Sequence, residues 1–261
     1  MIVEAMNKVV QEFVFGYGSL ICPVSRAITA PSLAQKTVTP VVVNNVERTW
    51  AKRIPGLMTA MGVRFKDDAQ CVGVLLPVNK QELKQFDLRE YGYDRVPLYL
   101  GDVEKVPFLH DEHYQEEEHE VFLKAKEREH AIRVWMYMQQ ETTPPSDDAP
   151  IVQSYVDTIL RGCLTISEGF ADEFITKTKG WTPNELVEEE DVEIEDASME
   201  SRSVSSIEVT KDDVHWVNDR QDPIYRRGDQ NYMLRHGHKL DAMLRKHRDE
   251  IKYRFYHTMI F

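Results

Sequence analysis

Before residue 140 the apolar positions fall mostly into short, strand-like runs. After it they recur mostly at helical spacing. Phe13-Val14-Phe15 is an apolar, β-prone run that breaks at Gly16-Tyr17-Gly18-Ser19 and turns apolar again at Leu20-Ile21. That is the pattern of a strand ending in a glycine-bearing loop. Pro23 and Pro31 bracket a short irregular or helical piece. Val38 to Val46 is rich in β-branched residues and predicts a strand that continues through Lys52. Met58 to Phe65 and Gln70 to Pro77 read as two further strands joined by a turn at Lys66-Asp67-Asp68-Ala69. Asn79 to Glu90 has helical spacing, with Leu83, Phe86 and, loosely, Leu88 on one side and Asn79 as cap. Arg95 to Tyr99, Gly101 to Pro107 and Ala131 to Met138 predict strands. Ile151 to Leu164, Ser167 to Thr178 and Asp229 to Tyr253 predict helices, the last with Tyr232, Leu240, Met243 and Leu244 inward. His110 to Glu129 is a charged stretch expected to form a loop, an extended hairpin or a surface helix.

Composition divides this pattern into three. Between Glu185 and Glu200 there are nine acidic residues and no basic one, and a run of serines follows. Such a segment buries little and repels itself, so it is expected to be a mobile linker or insertion. The expected organisation is a domain over residues 1–182, the acidic segment over 183–214, and a docked aromatic segment with an amphipathic helix over 215–261. The net charge of −12 disfavours a nucleic-acid partner. No apolar window reaches the length of a membrane span and the first residues do not resemble a secretory signal. Cys22, Cys71 and Cys163 are far apart and lack metal spacing, which predicts reduced thiols in a cytoplasmic protein. Monomer and homodimer both fit the sequence.

The candidate chemistry sits first in the loop. Gly16 and Gly18 permit backbone angles and close approaches denied to other residues. Ser19 adds a hydroxyl, and successive N–H groups in such a turn can cradle an anion. Alone, the loop also fits an ordinary tight turn. Its wording, Phe15-Gly16-Tyr17-Gly18-Ser19-Leu20 at the end of the first strand, resembles the signature of the γ-glutamylcyclotransferase-like family, which includes ChaC-type and AIG2-like proteins. A second match is Phe86-Asp87-Leu88-Arg89-Glu90-Tyr91-Gly92-Tyr93-Asp94-Arg95-Val96. There a helix gives way to a glycine-containing turn and a strand, and the resemblance places the family's catalytic glutamate on Glu90. Without it, Glu90 would read as a solvated helix-end residue. A third, looser match runs from Pro144-Pro145-Ser146 into the helix bearing Tyr155, which corresponds to a tyrosine lining the substrate site. A buried core tyrosine is the competing role. The loop lacks the Asn that precedes Leu in the animal γ-glutamylcyclotransferases and is closer to the ChaC and AIG2-like wording.

The resemblance covers roughly residues 13–180. It implies a mixed α/β fold with a small barrel-like sheet flanked by helices, to which the C-terminal helix is an extension. It also implies release of 5-oxoproline from a small γ-glutamyl peptide or amine, without metal or cofactor. Glu90 would act as general acid/base, and Tyr17, Gly18, Ser19, Leu20 and Tyr155 would bind substrate. The alternative from another class is a non-catalytic protein of the same fold that binds a γ-glutamyl-like or acidic small molecule. The other constellations are weak. The nine histidines are scattered, and His110 and His113, separated by two acids, make a poor metal site. Ser19 lacks the G-x-S-x-G context of a nucleophile elbow.

Overall fold

A computed structural model describes residues 10–106, 132–181 and 216–247. The expected charged stretch at 110–129, the acidic segment 183–214 and the end of the C-terminal helix lie outside the described residues.

The first strand, β1 (Gln11–Gly16), is central in a mixed sheet. It pairs antiparallel with β3 (Met58–Val78) and parallel with β6 (Ile132–Gln139). Outward from these lie β2 (Thr39–Ile54) and β5 (Val103–Lys105) on one side and β4 (Tyr93–Leu98) on the other, in the order β4-β6-β1-β3-β2-β5. The continuous apolar run of β1 follows from this position, because both faces are covered. Phe13 and Phe15 enter the larger core, whereas Val14 points into a smaller one with Leu76, Leu83, Phe86 and Tyr137. The predicted mixed α/β architecture, a curled sheet flanked by helices, is the one observed.

One expectation is corrected. Residues 66–69 do not join two strands. β3 runs without reversal from Met58 to Val78 and pairs with β2 along both halves. The partners step from Asn44↔Gln70 to Val46↔Phe65, so the acidic tetrapeptide is an excursion from one long strand. Asn45 and Asp68 take left-handed backbone angles there, which Asn and Asp tolerate better than other non-glycine residues.

Helix α1 (Pro23–Thr29) starts with Pro23 in the first turn, where its missing N–H costs nothing. Helix α2 (Lys80–Arg89) is opened by Asn79 in a reciprocal capping box with Glu82. Leu83 and Phe86 are buried as expected, but Leu88 is 73% exposed and takes no part in the core. The predicted helix at 151–164 begins two residues late. Ile151–Val152 form a short strand, β7, and helix α3 covers Gln153–Leu164. Helix α4 (Glu168–Thr176) is capped by Ser167 and leads into β8 (Thr178–Lys179), parallel to β2.

After the acidic segment the chain returns as β9 (Trp216–Val217), parallel to β7. Helix α5 (Gln230–Lys246) follows and buries Met233, Leu240, Met243 and Leu244; Tyr232 is only partly buried. Asp229 caps it and also pairs with Arg161 of α3 at 3.0 Å. Arg220 reaches Asp157 of α3 at 2.5 Å and Asp241 of α5 at 2.8 Å, tying the two helices together. No helix among the described residues is long and apolar enough to cross a membrane.

Candidate active site

The Gly-Tyr-Gly-Ser loop leaves β1 and closes into a single 3-10 turn over Ser19–Ile21, with Ile21 N–H donating to Gly18 O at 2.9 Å. The first N–H groups of such a turn have no acceptor within it. Arg48 anchors the loop from below. It is fully buried and its guanidinium donates to Tyr17 O (3.3 Å), Val72 O (2.6 Å) and Phe174 O (2.7 Å).

Glu90 ends helix α2. Its N–H still donates to Phe86 O at 2.8 Å, and its carbonyl accepts from Tyr93 N–H at 3.0 Å. Between them Gly92 has φ +83°, a left-handed angle that lets the helix turn directly into β4. This turn brings the Glu90 carboxylate into a cavity of about 840 Å³ lined also by Ser19, Tyr93 and Tyr155. The side chain is 17% exposed and lies 3.0 Å from the Nε of Arg89. Burial raises its pKa above the ordinary carboxylate value; Arg89 and Arg227 oppose the shift without cancelling it.

Arg89 organises this corner. Its guanidinium donates to Ser19 Oγ (3.1 Å), Ser25 Oγ (2.9 Å), Ser25 O (2.7 Å) and Tyr225 Oη (3.4 Å). Ser19 Oγ, accepting from Arg89, lines the same cavity as Tyr155. The Tyr155 oxygen accepts from Met61 N–H at 3.4 Å, which leaves its own O–H proton as a donor. Burial raises the pKa of Tyr17, Tyr93 and Tyr155, and the charge of Glu90 adds to each shift, so all three phenols are neutral at physiological pH. Among the described residues the carboxylates lining the cavity are Glu90 and the exposed Asp222.

Of the six residues singled out in the sequence, Ser19, Glu90 and Tyr155 meet in this cavity. Tyr17 turns into the core, where its hydroxyl donates to Tyr137 O at 2.5 Å. Leu20 packs with Val14 and Leu33 in the smaller core. Gly18 lies between them, so close to Tyr155 that a Cβ there would stand 3.2 Å from the phenol oxygen. Sequence reasoning missed Arg89 and the whole wall contributed by Asp222 to Arg227. The Pro223-Ile224-Tyr225-Arg226-Arg227 string does mark an ordered segment, but nothing local says where it docks. The contacts are long-range. Asp219 accepts from Ser154 N–H and Oγ–H, at 2.7 and 2.6 Å, at the start of α3, and from Ile224 N–H at 2.7 Å. Tyr225 then meets Tyr155 edge-on with ring centroids 4.7 Å apart.

Among the described residues no cluster of three or more His, Cys, Asp or Glu side chains could hold a metal. Comparison with curated proteins finds no match. Among solved structures, an uncharacterized protein from Homo sapiens is similar at 13% identity, over 63% of this chain and 86% of that one, with a TM-score of 0.43. A protein described as gamma-glutamyl cyclotransferase is similar at 12% identity, over 63% and 86% of the two chains, with a TM-score of 0.44. A yeast gamma-glutamyl cyclotransferase specific to glutathione gives 14% identity over 64% and 86%, with a TM-score of 0.33. The protein-family model described as "Gamma-glutamyl cyclotransferase, AIG2-like" matches residues 14–155. That match spans more than half of the sequence, from the first strand through Glu90 to Tyr155, and the chain belongs to the gamma-glutamyl cyclotransferase, AIG2-like family.

Proposed function

We propose that the protein is a γ-glutamylcyclotransferase that releases 5-oxoproline from a small γ-glutamyl compound, with Glu90 as general acid/base. The observation that carries this reading is the convergence of a half-buried carboxylate, Glu90, with Ser19 and Tyr155 in one cavity.

The reaction is an intramolecular aminolysis. The α-amine of the γ-glutamyl group attacks its own side-chain carbonyl carbon. A C–N bond forms to close the five-membered lactam, the original amide C–N bond breaks, and the leaving nitrogen departs as an amine. The nucleophile is tethered, so the site must hold the folded conformer, a matter of orientation that can supply several kcal/mol of the barrier. It must also take a proton from the α-ammonium and return one to the leaving nitrogen. One carboxylate can do both. The raised pKa of Glu90 brings its basicity closer to that of the groups it serves. Tyr155, with its proton free to donate, suits a polarised carbonyl or carboxylate oxygen of the glutamyl end. Backbone N–H groups of the Tyr17-Gly18-Ser19-Leu20 turn suit the developing oxyanion or the α-carboxylate.

The test is 5-oxoproline release from glutathione, γ-glutamyl-alanine and γ-glutamyl-ε-lysine, with Glu90→Gln beside the wild type. Release from one of these, reduced about a hundredfold or more by Glu90→Gln, is expected. Ligand binding without release from any of the three would replace the enzyme by a binding protein of the same fold. Release that survives Glu90→Gln would move the acid/base role to another group.

A further inference from the structure

We infer that the segment Asp222–Arg227 forms the leaving-group wall of the site, and that its arginines select γ-glutamyl compounds whose leaving amine carries a carboxylate. For the identity of the ligand this rests on the cyclotransferase reading. The wall itself lies outside the matched region 14–155.

The charge of the cavity is opposite to that of the molecule. The chain carries a formal charge of −12. Among the described residues the cavity is lined by five cationic side chains, Lys52, Arg53, Arg89, Arg226 and Arg227, against the two carboxylates Glu90 and Asp222. Among the described residues only Arg89 is neutralised at close range, by Glu90. Lys52 donates to Gly92 O at 2.6 Å and Arg53 to Pro144 O at 2.7 Å, both neutral acceptors that leave the positive charge in place. Arg226 and Arg227 form neither a hydrogen bond nor a close ion pair among the described residues, although Arg227 is near enough to lower the pKa of Glu90. A concave site with an excess of one sign concentrates ligands of the other.

The glutamyl head does not account for this excess. Its α-ammonium and α-carboxylate cancel, so the head is neutral overall. The additional anion must come from the other side of the scissile amide. An α-amino acid or peptide as leaving group supplies a carboxylate, a simple alkylamine supplies no charge, and a diamine supplies a positive charge that this wall repels. Guanidinium groups suit a carboxylate well, since their paired N–H donors match its two oxygens. Part of the lining is apolar, with Ile54, Pro55 and Leu57 at the tip of the β2–β3 hairpin. It offers a surface for the side chain of the leaving amino acid. The wall is held rigidly, since Tyr225 is fixed between Arg89, Ser25 and Tyr155 two residues from Arg227.

Two ligands that differ by one carboxylate test this: γ-glutamyl-alanine and γ-glutamyl-ethylamide. Affinity is measured by calorimetry on the full chain carrying Glu90→Gln, and kcat/KM for 5-oxoproline release on the otherwise native chain. γ-Glutamyl-alanine is expected to be favoured at least about tenfold in both readouts, the size of one charge-assisted contact. Changing Arg226 and Arg227 together to Met is expected to collapse the preference to about threefold or less, and changing both to Lys to retain most of it. Circular dichroism identifies any variant that fails to fold, and the Lys pair then serves as the folded reference. Equal affinity for the two ligands, binding of neither, or a preference untouched by the Met pair in a folded protein each overturns the selective wall. A tenfold affinity preference without turnover of either ligand sinks the cyclotransferase reading and leaves the wall standing.

Discussion

At the scale of a residue, Glu90 is set by opposed influences. Burial favours its neutral form; Arg89 at 3.0 Å and Arg227, which lines the same cavity, favour the charged one, and burial wins. Tyr17, Tyr93 and Tyr155, whose pKa values the Glu90 charge helps to raise, are neutral at physiological pH. A base must be deprotonated to act, so kcat/KM is expected to fall with decreasing pH along a limb centred above the ordinary glutamate value of 4.5. Arg227→Met removes a charge that lowers the Glu90 pKa, so the limb should move to higher pH; a limb that stays put or moves down would place the titrating group elsewhere. Stability follows the same sign. A carboxyl with a raised pKa binds its proton more tightly in the folded state, a contribution fully present below 4.5 and lost as pH rises through the raised value. Melting curves should therefore shift in favour of the wild type, relative to Glu90→Gln, as pH falls from 7 toward 4. At this scale the sequence was partly legible. The loop wording and the helix-turn-strand wording lead to Ser19 and Glu90. Arg89 stands beside Glu90 in sequence but reads as an ordinary cation in a last helical turn, because its acceptors Ser19, Ser25 and Tyr225 belong to other elements.

At the scale of an element, helix α3 shows how a distant segment completes a local structure. Its N-cap is Val152, whose side chain cannot accept a hydrogen bond, so the orphan N–H groups of the first turn need an outside partner. Asp219 supplies it, bonding Ser154 N–H at 2.7 Å with a carboxylate placed at the favourable end of the helix dipole. The same carboxylate holds Ile224 N–H, and Ser154 Oγ accepts from Tyr225 N–H at 3.1 Å. Asp219→Ala removes the cap and leaves buried donors without an acceptor. A loss of about 2–4 kcal/mol is expected in denaturant unfolding, together with a raised KM because the Tyr225 wall loses its anchor. Unchanged stability would mean that another group caps α3. Helix α2 was readable because its capping box is local in sequence, Asn79 with Glu82. The start of α3 was not, because its cap comes from 65 residues away. The acidic tetrapeptide at 66–69 misled for a related reason. Its composition is that of a turn, and only the pairing of both halves of β3 with β2 shows that the chain does not reverse.

At the scale of the molecule, the returning segment is both a docked piece of the core and a wall of the cavity that holds Glu90. The division proposed from composition, 1–182, 183–214 and 215–261, places the acidic segment between two parts that contact one another extensively. Trp216 stacks on Trp181 at 5.8 Å, and Leu240, Met243 and Leu244 join the main core. Burying a large apolar side chain contributes about 1.5–3 kcal/mol, and the Asp157–Arg220–Asp241 cluster fixes how α3 and α5 meet. Cleavage within 185–210 by a protease specific for acidic sites is therefore expected to give two fragments that co-elute in gel filtration and keep the activity of the intact chain. Arg220→Met leaves the buried Asp157 carboxylate without its cation, a loss that weakens the docking rather than the sheet. In that variant the nicked fragments should separate at a lower denaturant concentration, with activity lost at the point of separation. Fragments that part without denaturant in the wild-type protein would show that the covalent link, not the packing, holds the wall in place. Activity that survives their separation would remove residues 216–247 from the working site altogether.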